Sequence, residues 1–173
     1  MIPINSKWED KIQVKKGNYG EDLVNNYLNK KGYVIYTPIT NNAHCFDRIV
    51  MKNKSDIKIV ECKTKAKRTY FDDTGIDIRH YNEYKNISDK YIIPLFIFFI
   101  DEYLGEIYGN YLTELTKPKV VKNKEYPLEY KGIMYFPMVN MIRDILVLNE
   151  NDKEYLKGNS TRNYEYNNFE RGI

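Results

Sequence analysis

Residues 91–100 most restrict the folds open to this chain. They form an almost unbroken run of apolar, β-branched and aromatic side chains. A strand with water on one face alternates apolar and polar residues, so a run without alternation reads as a strand buried on both faces. Upstream, Ile78, Tyr81, Tyr84 and Ile87 recur every third residue, which is one face of a helix running to about Ser88. Earlier still, residues 57–63 read as another apolar strand. Strand, helix and buried strand in this order predict a right-handed parallel crossover. The expected class is α/β, a mixed central sheet of about five strands flanked by helices.

The other elements follow from local signals. Residues 101–105 predict a turn, and residues 106–112 a hairpin partner for the buried strand. Residues 1–17 are largely polar, with Trp8, Ile12 and Val14 among the apolar exceptions, and read as a short helix or an arm. A helix is expected from about Asn18 to Lys31, with Leu23, Val24, Tyr27 and Leu28 as its apolar stripe and Gly32 as its stop. Glu21 then falls in the first turn, where the helix dipole favours an acid. Residues 33–37 predict a first strand, closed by Pro38. Residues 117–131 read as a charged loop with one irregular strand, residues 132–137 as a strand, and residues 139–148 as a short amphipathic helix or strand. Residues 149–173 are polar and lack an apolar stripe, as a loosely packed tail would. The organisation is one domain over residues 1–148, with its core at about 17–112, followed by that tail.

Two strands in the first third carry acids. Residues 44–51 and 57–63 flank the polar turn Lys52-Asn53-Lys54-Ser55-Asp56. A hairpin centred on Lys54 pairs Met51 with Ile57, Ile49 with Ile59 and Asp47 with Glu61. Residues directly opposite each other place their Cβ atoms roughly 4.5–5.5 Å apart. Lys63 shares the face of Glu61, while Cys62 points the other way. Carboxylates that close repel unless positive charge lies between them, and a divalent cation with oxygen ligands meets that need. A solvated surface cluster is the plainer alternative, but the apolar strand around Glu61 argues against it.

The order Glu21, Asp47, Glu61-Cys62-Lys63 resembles the PD-(D/E)XK nuclease superfamily, which includes type II restriction enzymes and archaeal Holliday-junction resolvases. The resemblance covers residues 17–112. It implies a restriction-endonuclease-like fold: a helix, a three-strand meander, a crossover helix and a further parallel strand. It also implies that Asp47 and Glu61 hold Mg²⁺ (or Mn²⁺), that the Cys62 backbone carbonyl adds a ligand, and that Lys63 assists the attacking water. Glu21 matches the first-helix Glu that several members use in catalysis or metal binding. Phe46 stands where Pro is nominal. The implied activity is that of a metal-dependent deoxyribonuclease, an endonuclease acting on double-stranded or branched DNA, and the resemblance allows a homodimer.

Beyond Lys63 the chain turns basic. Thr64, Lys65, Lys67 and Arg68 suit contact with phosphates, or else form a solvated loop balanced by Asp72, Asp73 and Asp77. His44 lies three residues before Asp47, within reach of a nucleic-acid phosphate, and Tyr81 can line a groove. Their plainer readings are a surface residue and a core aromatic. A net charge of +3 permits a phosphate-rich partner without demanding one. The two cysteines, Cys45 and Cys62, fit neither a disulfide framework nor a zinc pattern. Residues 1–14 show no signal-peptide core, and residues 92–100 are too few to cross a bilayer. A cytoplasmic protein with no membrane partner is expected. Two further readings stand beside the nuclease. One is a non-catalytic nucleic-acid-binding or protein-interaction module on the same scaffold, against which the intact Asp47, Glu61 and Lys63 set weighs. The other is a hydrolase of small nucleotides, against which the lack of a Gly-rich or His-rich phosphate site weighs.

Overall fold

The computed structural model describes residues 11–39 and 45–159. The expectation for His44, and those for residues 1–10 and 160–173, lie outside them. Helix α1 (Ile12–Lys30) leads into a meander of β1 (Val34–Tyr36), β2 (Arg48–Asn53) and β3 (Asp56–Thr64), paired antiparallel throughout. The chain then forms β4 (Asp73–Asp77), the crossover helix α2 (Ile78–Tyr91) and β5 (Leu95–Asp101), which pairs parallel with β3. A hairpin joins β5 to β6 (Glu106–Tyr111). The short α3 (Leu112–Leu115) follows, then β7 (Lys119–Val121), β8 (Lys124–Tyr126), β9 (Leu128–Tyr130), β10 (Ile133–Pro137), β11 (Ile142–Val147) and α4 (Glu150–Gly158). The central sheet has the order β1-β2-β3-β5-β6-β11; β4, β10 and β9 form a second sheet.

All seven residues of β5 are buried, as the unalternating sequence requires. Its side chains divide between two cores. Phe96, Phe98 and Ile100 pack with Val24 and Leu28 on the α1 face. Ile97 and Phe99 pack with Ile59 and Tyr84 on the α2 face. The fold is mixed α/β and restriction-endonuclease-like, with six strands in its sheet rather than about five.

Several boundaries differ from expectation. Helix α1 begins at Ile12, so Glu21 is the tenth of 19 residues and lies mid-helix. It is not in the first turn, where the helix dipole would favour an acid. The sixth strand, β11, extends the central sheet well past residue 112 by pairing with β6. Residues 150–158 are a helix rather than tail: Asn149 caps it by accepting from the Asp152 N–H, and Leu156 is fully buried. The region of residues 117–131 holds a β7–β8 hairpin and β9, more order than one irregular strand. Among the described residues, no helix is long and apolar enough to cross a membrane.

Close packing across β5 and β6 sets one testable constraint. A Cβ added at Gly109 would stand 2.0 Å from the Ile97 carbonyl oxygen. Backbone in a central strand cannot yield easily, so Gly109→Ala should destabilise by about 1–3 kcal/mol. The readout is a lower urea midpoint; an unchanged midpoint would contradict this packing.

Candidate active site

From Met51 back to Arg48 the β2–β3 ladder has the register read from the sequence; next to the turn it shifts, so that Asn53 pairs with Asp56. Met51 pairs with Ile57, Ile49 with Ile59 and Arg48 with Val60. The strand β2 begins at Arg48, so Asp47 lies one residue beyond the last pair, in the bend that leads into it. It still meets β3: the Cys62 N–H donates to Asp47 Oδ2 at 2.7 Å. The N–H and C=O of one strand residue point to the same side. The Ile59 N–H bonds the Pro94 carbonyl on the β5 side, so Cys62, of opposite parity, faces the β2 side. The Cys62 carbonyl therefore points where the β2 ladder has ended, beside Asp47.

Glu61 and Lys63 project from β3 toward α2. Glu61 is 3% exposed. Its Oε1 accepts from the Tyr84 hydroxyl at 2.6 Å and lies 2.5 Å from Lys63 Nζ. Its Oε2 is buried with no hydrogen-bond partner. Lys63 Nζ also sits 5.6 Å above the Tyr84 ring. The His80 ring stacks at 6.0 Å from Tyr84. The sequence placed Tyr84 on the buried face of α2, but helical spacing alone does not say which core residue faces a carboxylate.

Glu21 reaches the same region from α1 through Arg48. Arg48 Nη2 donates to Glu21 Oε2 at 2.8 Å, and Nη1 donates to the Asp47 carbonyl at 2.7 Å. Arg48 Nε is buried without a partner. Sequence reading passed over Arg48, although its place next to Asp47 was the available signal. Both cysteines are free and half-buried.

The basic segment after Lys63 serves the scaffold more than expected. Arg68 shows this most clearly. Its Nε and Nη2 donate to the two carboxylate oxygens of Asp73 at 2.6 and 2.5 Å, and Asp73 is fully buried. The Phe71 and Tyr135 rings lie 4.3 and 3.7 Å from its guanidinium carbon. Lys65 Nζ donates to the Gly75 carbonyl. Thr64 turns toward α1, where its Oγ1 is buried against Gly20. Lys67 forms an exposed ion pair with Asp72 at 2.8 Å. Tyr81 packs on the core beside Phe136, as its plainer reading held.

Burial sets the electrostatics. It pushes the Glu61 carboxyl up to about 7; the Lys63 ammonium works against the shift and Asp47 reinforces it. Burial also raises Asp47, which the Cys62 N–H partly offsets. Glu21 is raised by burial and then by Asp47, with Arg48 opposing. An acid whose folded pKa lies above its unfolded value favours folding at low pH. The Glu61 contribution is full below its ordinary value of 4.5 and is lost as pH rises to about 7. The loss is on the order of 3 kcal/mol at full expression of the shift. Metal-free protein should therefore lose thermal stability across that window, and Glu61→Gln should flatten the profile. Equal slopes for the two proteins would contradict the burial of an ionisable carboxyl here.

Oxygen donors of this kind fit a hard divalent cation. Among the described residues, no three His, Cys, Asp or Glu side chains gather as a metal cluster. The donor set offered is instead two carboxylates and a backbone carbonyl. The unpartnered, buried Glu61 Oε2 is what a cation would satisfy. Glu102 Oε2 is also buried and unpartnered, and its other oxygen is ion-paired to Lys16 at 2.6 Å much as Glu61 Oε1 is to Lys63; what sets Glu61 apart is the neighbouring Asp47 carboxylate, whose charge helps to raise it.

No protein-family model and no curated protein matches the sequence. Among solved structures, the chain is similar to Hjc, a Holliday junction resolvase from the archaeal hyperthermophile Archaeoglobus fulgidus. The identity is 8% and the TM-score 0.52, over 72% of this chain and 90% of that one. At that identity the likeness establishes a shared fold, the one the meander, crossover helix and parallel strand already describe.

Proposed function

We propose that this chain is a divalent-metal-dependent nuclease that hydrolyses DNA phosphodiester bonds, as an endonuclease. The observation that carries this reading is the buried Glu61 carboxylate with one oxygen unpartnered. It stands beside Asp47, at the point where β2 leaves β3 and the Cys62 carbonyl faces outward. Buried polar atoms without partners are few in native proteins, and each calls for an explanation such as an absent ion. Asp47, Glu61 and the Cys62 carbonyl would hold Mg²⁺ or Mn²⁺. When bound, the ion supplies charge neutralisation at the scissile phosphate and acidifies an attacking water.

The chain's own residues divide the remaining work. Lys63, 25% exposed at its side chain, reaches both Glu61 and solvent. It orients the attacking water or stabilises charge on the phosphate. Tyr84 is a positioning residue, since its hydroxyl holds Glu61 Oε1 and leaves Oε2 without a partner. Arg48 ties Glu21 to the Asp47 bend, which supports a role for Glu21 as a third carboxylate beside the site. Lys67 is the basic-segment residue best suited to the DNA backbone. An exposed ion pair such as Lys67–Asp72 is worth little, so a phosphate can displace Asp72. DNA as the substrate is supported by the shared fold with a Holliday junction resolvase.

The test is a crystal soaked in Mn²⁺ and read by anomalous scattering. A peak shared by Asp47, Glu61 and the Cys62 carbonyl is the expected result. A peak elsewhere, or none at saturating Mn²⁺, would contradict the assignment of these donors.

A further inference from the structure

On the sheet face opposite Glu61, α1 covers the β1–β3 side and stops at Lys30. Beyond its last turn lies a pocket of about 320 Å³, bounded by β5, β6 and β11. Phe96 and Phe98 form its base, with ring centroids 4.5 Å apart. Tyr27 and Tyr111 stand edge-on to this pair, at 6.4 Å from Phe98 and 5.1 Å from Phe96. Such a slot suits a flat ring, which aromatic side chains contact over much of its area.

The charge at the mouth is one-sided. Three lysines and no acid line the pocket. Lys58 is already committed: its ammonium pairs with Asp56 at 2.8 Å and donates to the Tyr33 and Tyr111 hydroxyls at 3.0 and 3.2 Å. A phenol that accepts from an ammonium keeps its own proton for another acceptor, so Tyr111 offers a donor at the pocket. Lys31 and Lys52 differ from Lys58. Their ammoniums lie 5.7 Å over the Tyr27 and Tyr33 rings. Neither is ion-paired among the described residues. Two cations with no ion pair among the described residues, Lys52 being also within electrostatic reach of Asp56, stand above an aromatic slot and complement an anion attached to a flat ring.

We infer that this pocket binds a nucleoside monophosphate, with its base against Phe96 and Phe98 and its phosphate at Lys31 and Lys52. The inference does not rest on the nuclease reading, because Asp47 and Glu61 serve the other side of the sheet. Calorimetric titration of the full chain with AMP, adenosine and inorganic phosphate, as separate arms, tests it. AMP should bind saturably, with adenosine and phosphate each at least tenfold weaker. The double variant Lys31→Ala/Lys52→Ala should weaken AMP at least tenfold and leave adenosine unchanged. Both lysines are exposed, so the fold should survive; if the double variant fails to fold, Lys52→Gln alone should weaken AMP at least threefold. Glu61→Gln should leave AMP binding unchanged. The inference is overturned by no AMP binding at millimolar concentration, by equal binding of AMP and adenosine, or by phosphate matching AMP. It is equally overturned if the lysine variants bind AMP as the wild type does, or if Glu61→Gln abolishes binding.

Discussion

Lys63→Ala should lower the rate of metal-dependent DNA cleavage by on the order of 10²-fold or more and leave DNA affinity nearly unchanged. The reason is placement. Lys63 Nζ lies 2.5 Å from Glu61 Oε1, next to the oxygen proposed to hold the metal. An ammonium there acts where charge develops in the transition state, and a hundredfold loss corresponds to about 2.7 kcal/mol of barrier. Lys63→Arg should not restore the rate, because a planar guanidinium cannot take the position of a compact ammonium. Single-turnover cleavage and a separate binding measurement distinguish the outcomes. If the alanine variant cleaves normally at saturation but binds DNA poorly, Lys63 is a phosphate contact and the chemical role assigned to it is wrong.

Arg68→Ala should destabilise the fold by about 3–5 kcal/mol. Asp73 is fully buried, and three donors meet its carboxylate: Arg68 Nε, Arg68 Nη2 and the Tyr126 hydroxyl, at 2.6, 2.5 and 2.6 Å. Removing the guanidinium leaves a buried carboxylate with only the phenol to stabilise it. The aromatic contacts of Arg68 with Phe71 and Tyr135 are lost as well. Urea denaturation should show the drop, and the salt dependence of DNA binding measured below the transition should not change. A phosphate-binding arginine would do the reverse: stability would hold, and the salt slope would fall by about one.

The contrast between Arg68 and the hairpin shows what the sequence made legible. The β2–β3 register could be read because strand alternation is strict and the turn is short. Asn53 Oδ1 accepts from the Ser55 N–H, the Ser55 hydroxyl and the Asp56 N–H, which fixes the centre of the hairpin. Asp47, Glu61 and Lys63 followed from that register. Arg68 did not, since its partner Asp73 opens β4, a strand that pairs with the distant β10. A charge read by its sequence neighbours looks solvated; the fold buried its counterion. The start of α1 was missed because Lys11 makes no side-chain cap hydrogen bond. Strand β11 escaped a clear reading because Asp144 takes φ +52° and the pairing with β6 shifts between Ile142 and Leu146. A left-handed residue inside a strand breaks the period of two on which such readings depend.

The most direct measurement is cleavage by the purified full chain. Supercoiled plasmid, linear duplex, single-stranded DNA and a four-way junction should each be incubated with Mg²⁺ or Mn²⁺ and with chelator. At least one of them should be cut only when metal is present, and Asp47→Asn should abolish the cut while the protein stays folded. Binding without cleavage under every metal condition would contradict the catalytic reading and leave a nucleic-acid-binding scaffold. Neither cleavage nor binding would remove nucleic acid from the account altogether.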